Sequence, residues 1–170
     1  MDVPTHAVRG EQSDTHGNTA FCNNRGLHMP IDEQDFHEFY QQWNRTVYGF
    51  CRMFLGEDER AELATQEAFV QYVREQEPLI VSKLPRKLIR NAVAESMKLE
   101  PSEPRFPDNE ELEEILPLLP ASDRAVFILR STLDLSAVDT AGILQVPIER
   151  VNESWMKASL FLRDIWLKKK

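Results

Sequence analysis

No run of apolar residues in this chain approaches the roughly eighteen needed to cross a membrane, and residues 1–20 hold no apolar stretch that would open a secretory signal. Cytoplasmic residence is therefore expected. Cysteine is nearly absent: Cys22 and Cys51 are the whole complement of the 170 residues, and neither has a second Cys or His at metal-ligand spacing. Cys51 falls in an amphipathic stretch and reads as a buried, reduced thiol. Histidine is limited to His6, His16, His28 and His37. The six glycines form no phosphate-cradling loop, and no nucleophile elbow is present. Carboxylate pairs such as Glu113-Glu114 lie in an acid-rich stretch, where a solvated run is the ordinary reading. Alternating strand patterns and internal repeats are also missing. These absences exclude the common routes to catalysis. They point to a protein that is not an enzyme, has no catalytic residue, metal or cofactor, and works by binding other macromolecules.

Net charge is −8, unevenly spread. Residues 99–117 hold seven acidic groups and one basic, whereas residues 118–170 hold eight basic and six acidic. An acidic total is compatible with nucleic-acid binding, because phosphates respond to a local basic face. Residues 1–30 show no periodicity and read as a disordered tail. From Asp35, apolar residues recur at spacings of three and four: Phe36, Phe39, Tyr40, Trp43, Val47, Phe50, Cys51 and Phe54, with Gly56 as the stop. A second helix is expected from about Asp58, with Ala61, Ala64, Ala68, Phe69, Tyr72 and Val73 inward, and Pro78 beyond its end. A third is expected from about Lys83 to Met97, with Pro85 in its first turn. Residues 99–110 contain three prolines and mark a domain boundary. The expected organisation is a tail over 1–30, one helical domain over 31–98, a flexible acidic linker over 99–111 holding the domains apart, and a second helical domain over 112–170. The fold class is all-α.

In the second domain, Ser122 is expected to cap a helix carrying Ala125, Val126, Ile128 and Leu129, and Asp134 marks a turn. Ser136 and Asp139 form an acidic variant of the capping box. The helix they open holds Ala141, Gln145 falls at the following turn, and Val151 lies ten residues after Ala141. This spacing fits a helix-turn-helix, although an ordinary helical hairpin would share it. The last helix should run from about Ile148 to Leu167, with Val151, Trp155, Ala158, Leu162 and Trp166 inward.

The wider segment, with Leu116, Leu119-Pro120, Arg124, Val126-Phe127, Leu129, Leu135-Ser136, Val151, Ala158 and Leu162-Arg163, resembles region 4 of bacterial RNA polymerase sigma factors, most of all the small extracytoplasmic-function type. Residues 61–69, Ala-Glu-Leu-Ala-Thr-Gln-Glu-Ala-Phe, resemble the A-E-D-L-T-Q-E-x-F motif of region 2, and Ile89-Arg90-Asn91 resembles its I-A-R-N motif. The resemblance spans roughly residues 35–167. It implies a transcription initiation factor that binds core RNA polymerase through Glu62, Thr65, Gln66 and Glu67. It implies promoter −10 contact through Lys83, Arg86, Lys87, Arg90, Asn91 and Lys98, and −35 contact through Arg150, Asn152, Ser154 and Lys157. An anti-sigma factor is the further partner it implies.

The chain departs from that pattern where DNA would be met. Leu63 replaces the family's Asp, and no aromatic residue stands between Pro78 and Asn91 to stack on an unpaired base. The recognition-helix stretch Val151–Ser159 keeps one basic residue, Lys157, and gains Glu153. Two further readings stay open on this basis. One is a sigma-like interaction protein that binds an anti-sigma factor or polymerase without productive promoter recognition. The other is a plain helix-turn-helix repressor, which leaves the Thr65–Phe69 motif unexplained.

Overall fold

The computed structural model describes residues 32–99 and 112–167, the side chains of Glu113 and Glu114 excepted. The tail expected over 1–30 lies outside them, as does the linker expected over 99–111 apart from Leu99. All regular structure among the described residues is helical.

Helix α1, Glu33–Leu55, begins at Asp32, whose carboxylate accepts a hydrogen bond from Gln34 N at 2.9 Å. It ends at Gly56, whose φ of 73° only glycine adopts cheaply. Its buried face carries Phe39, Trp43, Val47, Phe50, Cys51 and Phe54, as the spacing requires. Burial raises the Cys51 thiol above its ordinary pKa, so this group stays protonated. Helix α2, Asp58–Arg74, lays Ala61, Ala64 and Ala68 inward, small residues that permit close approach. Below them Phe39 stacks on Tyr72, ring centroids 5.2 Å apart, and meets Phe69 edge-on at 5.9 Å. Tyr72 and Trp43 donate to the carbonyls of Pro78 (2.7 Å) and Ile80 (2.8 Å), which pins the connection to the next helix.

Helix α3, Arg86–Lys98, starts three residues later than expected. Pro85 is its N-cap, with φ −71° and ψ 115°, and a proline disfavours helical geometry at Leu84 before it. The described chain resumes with α4, Leu112–Ile115, and a 3₁₀ turn, Leu116–Leu118. Helix α5, Ala121–Phe127, is capped by Pro120 rather than by Ser122, which sits exposed inside the first turn. It runs on into one wide π-turn, Ile128–Thr132. Asp134, at φ 51°, turns the chain into α6, Ala137–Leu144, and α7, Ile148–Leu167, follows.

The two halves, expected to stand apart, pack together. One continuous buried cluster takes in Phe50, Phe54 and Leu55 from α1, Leu88 and Ile89 from α3, and Ile115, Leu116, Leu129 and Ile143 from the second half. Arg124 ties them at the centre. Its side chain is buried, and the guanidinium donates to the carbonyls of Leu116 (2.9 Å), Pro117 (2.7 Å), Leu119 (2.7 Å) and, across the halves, Phe54 (2.8 Å). It also lies 4.8 Å from the centre of the Phe54 ring.

Candidate functional site

Three surfaces carry the residues singled out in the sequence. On α2, the helical period sends Ala61, Ala64, Ala68 and Phe69 inward and leaves Glu62, Leu63, Gln66 and Glu67 exposed. Thr65 is turned the other way. It is 3% exposed, and its hydroxyl donates to the Ala61 carbonyl at 2.7 Å, so it serves packing and not a partner's surface. Glu62, Gln66 and the edge of Thr65 border a shallow cavity of about 250 Å³ with Tyr40, Asn44 and Tyr48 of α1. Those three α1 residues share a polar helix edge that only the packing of α1 on α2 turns into part of this site. At its end Asp58 accepts from Tyr48 Oη (2.9 Å) and Arg52 Nε (2.6 Å). These two hydrogen bonds hold the Asp58 carboxyl below its ordinary pKa.

On and around α3, the basic residues are largely engaged. Lys83 is exposed, ahead of the helix. Arg86 pairs with Asp139 of α6. Arg90 donates from Nε to the Ile143 carbonyl (3.0 Å) and from Nη2 to that of Gly142 (2.8 Å). Lys87 sits 3.3 Å from Glu75, and Lys98 2.6 Å from Glu95. Asn91 is 6% exposed, its amide set among the Glu75 carboxylate, the Lys87 carbonyl and the Tyr72 nitrogen. It is therefore a buried bridge between α2 and α3 and not an outward contact. Partial burial raises the Glu75 pKa, but hydrogen bonds from Gln71, Asn91 and Lys87 outweigh it and leave the carboxyl below its ordinary value.

The third surface is the pair α6–α7. Ser136 Oγ accepts from Asp139 N at 3.0 Å and donates to Asp139 Oδ2 at 2.7 Å, so the capping pair closes on itself. Gln145 ends α6 in the left-handed region, φ 57° and ψ 41°, and Pro147 precedes α7. Arg150, Asn152, Glu153 and Lys157 project outward from α7, Arg150 and Glu153 at 4.0 Å from each other. The inward face is Val151, Ser154, Ala158 and Leu162. Ser154 is thus buried at 3% exposure and unavailable to DNA, because the small side chain lets α7 lie close on the domain. Trp155 and Trp166, expected inward, are exposed instead. The Trp155 indole is too large for the seam and lies at its flank, Nε1 donating to Ser131 Oγ (3.2 Å) and the Arg130 guanidinium 5.1 Å from the ring centre. Further along, Leu112, Phe127, Leu162, Trp166 and Leu167 border an open apolar groove of about 510 Å³.

An all-helical pair of packed units, the second built on a helix-turn-helix, is the architecture these surfaces share. No protein-family model matches the chain, and no curated protein matches it. Among solved structures it is similar to the sigma factor RpoE from Bartonella quintana, solved in complex with the anti-sigma factor NepR. The two share 16% identity and a TM-score of 0.64, over 81% of this chain and 99% of that one. The likeness shows a sigma-factor-like fold. No helix among the described residues is long and apolar enough to cross a membrane.

Proposed function

We infer that this chain is a transcription initiation factor that binds core RNA polymerase and directs it to promoter −10 and −35 elements. One observation carries the reading: the similarity takes in 99% of a sigma factor's chain and 81% of this one. In this reading the exposed Glu62, Gln66 and Glu67 of α2 meet the polymerase. Lys83, Arg86, Lys87, Arg90 and Lys98 serve the −10 element, and Arg150, Asn152 and Lys157 serve the −35 element. The protein is a regulator without catalytic chemistry. An anti-sigma factor is a third partner, on the analogy of the complex in which RpoE was solved.

The decisive assay is run-off transcription with core polymerase on promoters near the protein's own gene. A specific transcript is expected, and the pair Gln66→Ala with Glu67→Ala should weaken capture of core polymerase while leaving the circular dichroism spectrum unchanged. Capture equal to the parent's would remove α2 as the docking face. The alternative, a sigma-like interaction protein, is favoured by the outward face of α7. It presents Glu153, Met156 and Leu160 beside its few cations, and anions near phosphate oppose binding. Capture of core polymerase or an anti-sigma factor with no transcript from any promoter would establish that alternative.

A further inference from the structure

Helix α7 shows two faces. Val151, Ser154, Ala158 and Leu162 enter the seam with the rest of the second half. On the side turned away from that seam stand Met156, 55% exposed, and Leu160, 42% exposed. Glu153 precedes them and Arg163 follows, both exposed. The helical period sets these four in one row at intervals of three, four and three residues, the spacing along the seam of two paired helices. The row is also symmetrical about position 158. An apolar residue lies two places to either side of it and a charged residue five places to either side, negative at one end and positive at the other. We propose that this outward face of α7 is a self-association surface, on which a second copy of the chain lays its own α7 antiparallel.

A two-fold axis at position 158 brings Met156 of each copy against Leu160 of the other, and Glu153 against Arg163. Arg150 lies 4.0 Å from Glu153, and Arg163 lies 3.0 Å from Asp164. Exposed pairs of that kind contribute little by themselves. In the antiparallel arrangement they meet as a network of four charges of alternating sign, formed twice. Parallel pairing sets Glu153 on Glu153 and Arg163 on Arg163, and like charges so placed oppose association. The row therefore selects one orientation. One contact works against it, since the Lys157 side chains of the two copies approach each other beside the axis. Single exposed apolar residues are ordinary. Here two of them are enclosed by charges that complement the same row reversed, which argues for a second copy. A phosphate backbone would meet Glu153 and Asp164 and leave the methionine and leucine without partners. One helix face per chain makes a small interface, so the pairing is reversible and set by concentration. It covers Arg150 and Lys157, the cations assigned above to the −35 element, and an abundant chain would withhold them from DNA. The pairing itself does not depend on that assignment.

Sedimentation equilibrium of the full chain, over a wide range of concentrations and without DNA, tests the proposal. The parent should pass from monomer towards dimer as concentration rises. Glu153→Arg and Arg163→Glu each set like charges across the axis, and each should weaken association by about tenfold or more. The double variant carrying both changes has the parent's net charge and restores opposite charges across the axis, so it should recover the parent's association. Leu160→Asp should abolish it. Circular dichroism checks the fold of each chain. Should Leu160→Asp fail to fold, the charge variants at exposed positions carry the test. A parent that stays monomeric at every concentration at which it is soluble would overturn the proposal. So would single charge variants that associate as the parent does, or a double variant that does not recover. Association indifferent to these charges but lost in Trp166→Gln would move the contact to the apolar groove, and the antiparallel pairing of α7 falls.

Discussion

Arg124 shows what a single side chain can do by gathering main-chain carbonyls. The planar guanidinium reaches carbonyls in the 3₁₀ turn and at the end of α1 at once, which a lysine ammonium on its flexible stem cannot reproduce. Replacing it by lysine or methionine leaves buried carbonyls without donors. Each change should lower stability by about 3 kcal/mol, read as a shift in the urea midpoint. Gln145 makes the opposite case. It occupies left-handed backbone at φ 57°, which costs a residue with a Cβ roughly 1–2 kcal/mol and glycine less. Gln145→Gly should stabilise the protein by up to about 1 kcal/mol in the same assay. The turn itself was legible in the sequence, because Gln145 falls four residues after Ala141, between the two helical patterns. The roles of Trp155 and Ser154 were not. Periodicity ranks both as near the seam, and only the closeness of the two helices decides that the small residue enters and the indole stays at the edge.

At the scale of elements, the corner between α1 and α2 is an acid-sensitive joint. The folded-state pKa of Asp58 lies below its unfolded value, so its stabilising effect is fully present above the unfolded carboxylate range and is lost as pH falls through the folded value. Glu75 at the α2–α3 bridge acts in the same direction. The melting temperature should therefore drop on acidification below about pH 4, and Asp58→Asn should flatten that acid limb while lowering stability at neutral pH. An acid limb unchanged in the variant would mean that the joint contributes nothing. Most helices were legible here: α1 and α7 close to their ends, because their apolar periods are long. The start of α3 was displaced by Pro85, whose effect falls on the residue before it. The cap of α5 was displaced by Pro120, which ordered the backbone ahead of Ser122. On the candidate surfaces, the outward period of α2 leaves Glu62, Gln66 and Glu67 exposed, as their spacing implies. Thr65 and Asn91 carried the same polar signal yet found their partners inside.

At the scale of the whole molecule, the two described halves share one buried core in a sequence that reads as two domains. The acid-rich, proline-bearing segment between the halves is a real discontinuity of composition, but nothing in periodicity records which buried face lies against which. Phe54 and Leu116 each read as ordinary core residues of their own half. Because they share a core, the halves should unfold in a single transition. Leu116→Ala should cost about 2–4 kcal/mol and speed hydrogen exchange in α2 as well as in α7. Exchange confined to the second half would show that the halves fold independently.

Four of the acceptors that hold Arg124 belong to the peptide chain itself, and a carbonyl offers the same lone pairs whatever side chain its residue bears. Residues 116, 117 and 119 can thus change to others of similar bulk and still offer these carbonyls, whereas position 54 also supplies the ring under the guanidinium. An arrangement secured in that way depends on the path of the backbone more than on the side chains that line it.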